Sequence, residues 1–133
     1  MPPEIIAKFV IFGTTVTPDE ITSAIGINPT QTWLIGDQIQ TSAIRRKHNG
    51  WRLSTGYLQD FDLEKYGRQL LEILLPKAEI ITTFCRENKL KCELGFTAFI
   101  IEETPIANFS EQFISDLAKL NASLDIDIML TTE

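Results

Sequence analysis

Histidine, cysteine and clustered glycine are scarce in this sequence of 133 residues, and each scarcity excludes a class of active site. His48 is the single histidine, so every catalytic arrangement built on an imidazole would have to use it, and it lies among cations in a polar segment. Together with Cys85 and Cys92 it does not supply the closely spaced ligands of a zinc site. None of the seven glycines belongs to a dinucleotide-binding fingerprint. The sequence therefore predicts a protein that is not an enzyme and that carries no cofactor.

Positive net charge and long apolar runs are absent as well. The chain has 12 Lys and Arg against 18 Asp and Glu, which gives a formal net charge of −6. A protein of this sign repels phosphate backbones and anionic lipid headgroups on average, so neither nucleic acid nor a membrane is an expected partner. The apolar run Phe9–Phe12 is too short for a secretory signal. We therefore expect a cytoplasmic protein whose two cysteines stay reduced, although a bridge between them is left open.

Hydrophobic periodicity and capping signals predict a single α+β domain over residues 1–133. The stretch Thr17–Glu20 forms a capping box that begins a short helix, and Gly26 ends it. A stripe of leucines after Asp62 predicts a second helix up to Pro76, with another helical piece behind it. The predicted strands cover 5–12, 30–35, 51–54, 90–101 and 124–128, with a weak strand at 38–44, and a last helix begins at 108–111.

The order of these elements is β-α-β-β-α-α-β-α-β. Its first six elements match the ferredoxin-like split βαβ pattern, to which a helix and a strand are added. We therefore expect a mixed or antiparallel sheet of about five strands, with the helices mainly on one face. The closing strand alternates strictly, which turns its apolar residues inward and its aspartates outward: Leu124, Ile126 and Ile128 against Asp125 and Asp127.

The chain also resembles the bacterial DUF4279 family of small single-domain proteins. The similarity rests on Thr17–Thr22, the exit Gly26–Pro29, the turn Gly36–Asp37, the strand Trp51–Ser54, the helix Leu63–Leu74 and the closing strand Leu124–Ile128. These segments have the family's order and spacing over nearly the whole chain. The resemblance implies an α+β fold. It implies no catalytic residue, because the family is a domain of unknown function.

The segment between the two tryptophans, Trp33 and Trp51, has the most unusual composition. Four of the 12 basic residues lie within the eight positions 45–52 of a chain whose net charge is negative. Arginine together with tryptophan is typical of binding hot spots and of anion-binding sites. The alternative is a solvated loop with both tryptophans in the core, where tryptophan is usually found. The candidate binding residues are Trp33, Asp37, Arg45, Arg46, Lys47, Trp51 and Arg52.

Asp125 and Asp127 are weaker candidates, for acid–base chemistry or for a metal ion. Two positions apart on a strand, their carboxylates share a face and lie about 6.5–7 Å apart along it. Paired carboxylates can divide acid and base roles or hold a divalent cation. The alternative is that they form the polar face of a half-buried strand and discourage edge pairing.

Three functions remain, in order of preference. The first is a non-catalytic protein-interaction module of a bacterial cytoplasm, of the immunity or antitoxin type. It would dock a protein partner, acidic at its contact surface, on the segment Trp33–Arg52. The second is a small-molecule sensor or carrier with a pocket between sheet and helices. The third is a carboxylate- or metal-dependent enzyme that uses Asp125 and Asp127. A homodimer is left open.

Overall fold

The computed structural model describes residues 2–131, which form one sheet with helices packed on it. The strands are β1 (Glu4–Gly13), β2 (Gln31–Trp33), β3 (Asn49–Ser54), β4 (Leu58–Gln59), β5 (Lys91–Ile100) and β6 (Ala122–Leu130). The α-helices are α1 (Pro18–Ile25), α2 (Leu63–Leu74), α3 (Ala78–Glu87) and α4 (Glu111–Ala118). A short 3-10 turn at Leu75–Lys77 joins α2 to α3.

The strands run in the order β2-β3-β1-β5-β6, and β4 pairs with the first residues of β1. β5 and β6 are parallel, whereas the other pairs are antiparallel. The α+β class and a mixed sheet are therefore confirmed. The two-residue β4, which has no hydrophobic alternation to reveal it, brings the strands of the described chain to six. The ferredoxin-like pattern stays a prediction from the order of elements.

The predicted weak strand at 38–44 is wrong, because this segment folds back on itself as a loop. An isolated bridge joins Gln38 to Arg45. Between them the N–H of Ser42 donates to the carbonyl of Ile39 at 3.0 Å, and the Ser42 hydroxyl accepts from the N–H of Ile44 at 2.9 Å. Short polar side chains that bond to nearby backbone favour turns over strand ladders.

One face of the sheet carries the core, and the helices pack on it as expected. β1 turns four apolar side chains toward them, each at most 1% exposed: Ile5, Ala7, Phe9 and Ile11. α2 approaches closely at Gly67, where a Cβ would lie 2.7 Å from the ring of Phe96 and 2.8 Å from that of Phe113. The missing side chain at this position therefore sets the spacing between the helix and the sheet.

The start of α1 follows the sequence signal closely. The Thr17 side chain accepts from the N–H of Glu20 at 3.3 Å, and the Glu20 carboxylate accepts from the N–H of Thr17 at 3.4 Å. Gly26 ends the helix in the left-handed region, with φ of 73°. The predicted capping box is confirmed.

The side chains of β6 point to the predicted faces of the sheet, but the apolar ones are less buried than predicted. Its register places Leu124, Ile126 and Ile128 beside inward-facing residues of β5. Leu124 is nevertheless 40% exposed and Ile128 53% exposed, and Ile126 is half-buried. An edge strand has a neighbour on one side only, so alternation in the sequence does not guarantee burial there.

Candidate functional site

The sheet face turned away from the helices, called the open face below, carries rows of polar side chains. One row crosses β2, β3, β1 and β5 through Gln31, Arg52, Val10 and Glu93. The registers place Lys8 of β1 beside Gly95 of β5, and Gly95 in turn beside Asp125 of β6. Cations therefore lie on the β1 and β3 side of this face and carboxylates on the β5 and β6 side.

Trp33 forms the floor of the cationic side. A Cβ built on Gly50 would lie 1.9 Å from its ring, so the indole rests directly on the backbone of β3. The guanidinium carbon of Arg46 lies 4.2 Å from the centre of this ring, and that of Arg52 lies 4.9 Å from it. Two guanidinium groups are thus held on one indole by cation–π contact.

These side chains line a cavity of about 520 Å³, called the cationic pocket below. Lys8, Trp33, Arg46, Arg52 and Tyr57 contribute the cationic and aromatic groups. Gln31, Thr32, Asp37, Gln38, Ile39 and Gln40 complete the lining. The pocket is therefore built from three strands, from the loop that follows β2 and from the connection between β3 and β4.

Asp37 holds that loop in place. Its carboxylate accepts from the N–H of Leu34 at 2.8 Å. Its carbonyl accepts from the N–H of Arg46 at 2.8 Å, and the N–H of Gly36 donates to the carbonyl of Arg46 at 2.9 Å. These bonds fix the backbone of Arg46 above Trp33, so Asp37 positions a cation.

Within residues 2–131, no carboxylate lies within ion-pair distance of the three cations of the pocket, Lys8, Arg46 and Arg52. Among residues 2–131, the ion pairs join Lys65 to Asp60 and both Arg68 and Lys119 to Asp116, all outside the pocket. Arg52 donates to the amide oxygen of Gln31 at 2.8 Å, while its Nε is buried without a partner. A buried donor without an acceptor is destabilising, so the hydrogen bonds of Arg52 are not all satisfied within the fold.

The pKa shifts of Arg52 and Lys8 also indicate that the pocket favours an anion. Burial lowers the pKa of Arg52, and the neighbouring Arg46 lowers it further. Burial and then the charge of Arg52 lower the pKa of Lys8, while Asp127, Asp125 and Glu93 oppose this shift. Each cation is therefore crowded by another, and a bound anion would relieve that repulsion.

The structure brings together four of the seven candidate binding residues: Trp33, Asp37, Arg46 and Arg52. Arg45 and Lys47 are exposed on the same loop but do not line the pocket. Trp51 lies on the opposite face with none of its surface exposed, and its indole N–H donates to the Thr22 hydroxyl at 3.1 Å. Trp51 therefore belongs to the core and not to the pocket.

Sequence reasoning missed Lys8, Gln31 and Tyr57. Lys8 gave a signal, since it is the one charge in the apolar run Ile5–Phe12. Such a charge marks a strand face that is not covered by helices. Tyr57 lies in an exposed connection and gave no comparable signal.

A second cavity, of about 400 Å³, lies at the end of β1. His48, Lys89 and Lys91 line it together with Phe12, whose ring contacts the imidazole at a centroid distance of 5.5 Å. It lies near the cationic pocket, because Phe12 pairs with Gly50 under Trp33. The basic surface thus continues past the pocket along this end of the sheet.

Asp125 and Asp127 lie on the open face at the other side of the sheet, near Glu93. Burial, Asp125 and Asp127 together raise the pKa of Glu93 against the opposing charge of Lys8. In the part of the chain that the structure describes, no three His, Cys, Asp or Glu side chains are arranged to hold a metal ion. Both aspartates are exposed on β6, next to the edge of the sheet.

The two cysteines are free thiols, with 3.5 Å between Cys85 Sγ and Cys92 Sγ. The hydrogen bond between them lowers the pKa of Cys85 and raises that of Cys92. Both are buried, Cys85 on α3 and Cys92 on β5. Within residues 2–131, no helix is long and apolar enough to cross a membrane.

Fold and site together define a small α+β protein with a cationic pocket on an open sheet face. The chain matches the family described as "Domain of unknown function (DUF4279)" over residues 3–131, and it belongs to that family. Neither a curated protein nor a solved structure matches it.

Proposed function

We propose that this protein is a non-catalytic interaction module that binds an acidic protein partner at the cationic pocket. The observation that supports this most strongly is the group of three cations around Trp33 that form no ion pair within residues 2–131, in a chain of net charge −6. An acidic protein that gathers unpaired cations in one concavity has a local charge opposite to its overall charge. That contrast orients an acidic partner toward the pocket.

The chemistry of the pocket suits a carboxylate on the surface of a protein. Each guanidinium presents a planar fork of donors that matches a carboxylate, and Lys8 adds a third positive charge. Trp33 supplies flat apolar area between them, and tryptophan with arginine is the composition of interface hot spots. An acidic side chain entering the pocket would give the guanidinium of Arg52, whose side-chain hydrogen bond goes to the Gln31 amide, a carboxylate to bind.

Immunity or antitoxin proteins of the bacterial cytoplasm are the class that this proposal favours, since they act by binding a protein and not by chemistry. Free thiols are typical of a reducing compartment, which supports a cytoplasmic location.

A small-molecule sensor or carrier is the second candidate. The size of the pocket favours it, because about 520 Å³ lies within the range of small-molecule sites. In that case the ligand would be a small acidic molecule, held by the same three cations.

The test compares two double variants that remove the same charge. Arg46→Gln with Arg52→Gln empties the pocket of guanidinium groups, whereas Arg45→Gln with Lys47→Gln removes two cations beside it. The immobilised wild type captures proteins from a lysate of the source bacterium, and an acidic protein that it retains is purified for affinity measurements. We expect the pocket variant to bind it at least about tenfold more weakly and the control to bind nearly as well.

Equal losses in the two variants would contradict the pocket as the binding site. Native mass spectrometry of the freshly purified protein distinguishes a small-molecule sensor or carrier from a protein-interaction module. A small acidic molecule bound to the wild type and lost from the pocket variant would replace the protein partner in the proposal. Arg46→Gln alone provides a variant with little risk to folding, because Arg46 lies on the loop.

A further inference from the structure

The outer edge of β6 is a long row of unpaired backbone groups. β6 has nine residues and pairs only with β5 in the described chain. The N–H of Thr131 donates to the carbonyl of Ile100 at 2.8 Å, which fixes the side to which that residue points. Backbone groups alternate between the two edges of a strand, so those of Leu124, Ile126 and Ile128 point outward.

The side chains of this edge are apolar on the helix side, and on the open face two aspartates lie between Ser123 and Met129. Leu124 is 40% exposed and Ile128 is 53% exposed on the helix side. Asp125 and Asp127 are exposed on the open face. An exposed apolar edge strand of this length is a ready template for another strand.

We propose that β6 docks an extended segment of a partner protein in which apolar and basic residues alternate. The segment adds a strand to the sheet, with its backbone bonded to the outward groups of Leu124, Ile126 and Ile128. Its apolar side chains cover the exposed leucine and isoleucines, and its lysines or arginines lie beside Asp125 and Asp127. Main-chain bonds supply affinity in this mode of binding, and alternate side chains supply specificity.

A second copy of this chain meets a charge conflict in two antiparallel registers of the β6 edge. Symmetric antiparallel pairing centred on Ile126 would place Asp125 of each copy opposite Asp127 of the other. Pairing centred on Asp127 would bring the two copies of that residue face to face. Like charges directly opposite each other destabilise a strand pair, whereas a basic partner meets neither conflict.

The experiment uses the full chain and an eight-residue peptide of alternating valine and lysine. Fluorescence anisotropy gives the affinity, and amide hydrogen exchange shows where the peptide binds. We expect slower exchange at Leu124, Ile126 and Ile128. A peptide of the same sequence with alternate amides N-methylated carries the same charge without the strand donors, and we expect it not to bind.

The specificity test is a charge reversal. Asp125→Lys with Asp127→Lys is expected to weaken binding of the valine–lysine peptide about tenfold and to gain binding of a valine–glutamate peptide. Glu72→Lys with Glu87→Lys changes net charge equally on exposed helix positions and is the matched control. Circular dichroism verifies that both variants fold.

Three outcomes would overturn the proposal. The N-methylated peptide could bind as tightly as the unmethylated one, or the peptide could slow amide exchange in a region other than β6. The third outcome is a dimer that forms without peptide and slows amide exchange in β6. The cationic pocket repels a lysine peptide, so the peptide does not bind there. The test of the β6 edge is therefore independent of the test of the acidic partner.

Discussion

The two faces of the sheet differ in whether their charged side chains have partners of opposite charge. On the helix side, Asp116 is 5% exposed and accepts from Arg68 at 2.6 Å, from Lys119 at 3.1 Å and from Gln112 at 2.9 Å. On the open face, Arg52 has one side-chain bond, to an amide, and a buried Nε without an acceptor.

This difference separates stability from binding. A charge whose partners are all present stabilises the fold and has nothing left to offer a ligand. A group of cations that form no ion pair weakens the fold slightly and gains most from an incoming anion. We therefore expect substitutions on the helix side to change stability, and substitutions in the cationic pocket to change binding.

The largest expected effect is in the core. Phe113 is fully buried against α2, whereas its neighbour Ile114 is 56% exposed. Phe113→Ala is expected to lower the free energy of unfolding by about 3–5 kcal/mol, because it leaves a cavity, and Ile114→Ala by less than about 0.5 kcal/mol. Urea denaturation followed by circular dichroism measures both. Similar losses would mean that α4 is not packed through Phe113.

A smaller effect is expected from filling the space at Gly67. Gly67→Ala puts a methyl group against the rings of Phe96 and Phe113, and overpacking of this kind destabilises by about 1–3 kcal/mol. The better helix propensity of alanine offsets at most about 1 kcal/mol of this. Gln69→Ala, at an exposed position of the same helix, is the control. A more stable Gly67→Ala variant would show that the helix can move away freely.

The charge network of the helix side is tested by pH. Hydrogen bonds from Arg68 and then Lys119 lower the pKa of Asp116 to about 2, against about 3.9 in an unfolded chain. Its stabilising effect is therefore complete above the unfolded value and is lost as the pH falls toward 2. Asp116→Asn is expected to lose less stability than the wild type between pH 4 and pH 2. Parallel curves in urea titrations would contradict the network.

Local signals predicted local structure well. The capping box at Thr17 and the apolar run that forms β1 depend on neighbours in sequence, and both are found as expected. Composition also indicated the segment that contains the four candidate residues lining the cationic pocket. It did not separate Arg46, which lies over Trp33, from Arg45 and Lys47, since that depends on how the loop folds back.

The two tryptophans show that the sequence did not reveal the register of the strands, which decides the face of the sheet on which each side chain lies. Trp33 pairs with Gly50 and faces the open side, whereas Trp51 pairs with Ile11 and faces the core. A shift of the register by one residue would exchange the two faces. Because register is set by contacts between distant strands, composition alone assigned both tryptophans to one site and could not bring Lys8 into it.

The smallest effect on stability is expected from removing the charge of Arg52, a cation that forms no ion pair. This substitution tests the difference between the two faces of the sheet most directly. The charge of Arg52 is the second cause, after burial, of the lowered pKa of Lys8. Arg52→Gln is therefore expected to raise the pKa of Lys8 toward its ordinary value, measured by NMR titration of the Lys8 side chain. Arg45→Gln is the control, since Arg45 lies outside the pocket lining. We expect stability to change by less than about 0.5 kcal/mol, because lost packing and relieved repulsion oppose each other. An unchanged pKa of Lys8, or a large loss of stability, would mean that the cations of the open face support the fold as Asp116 does.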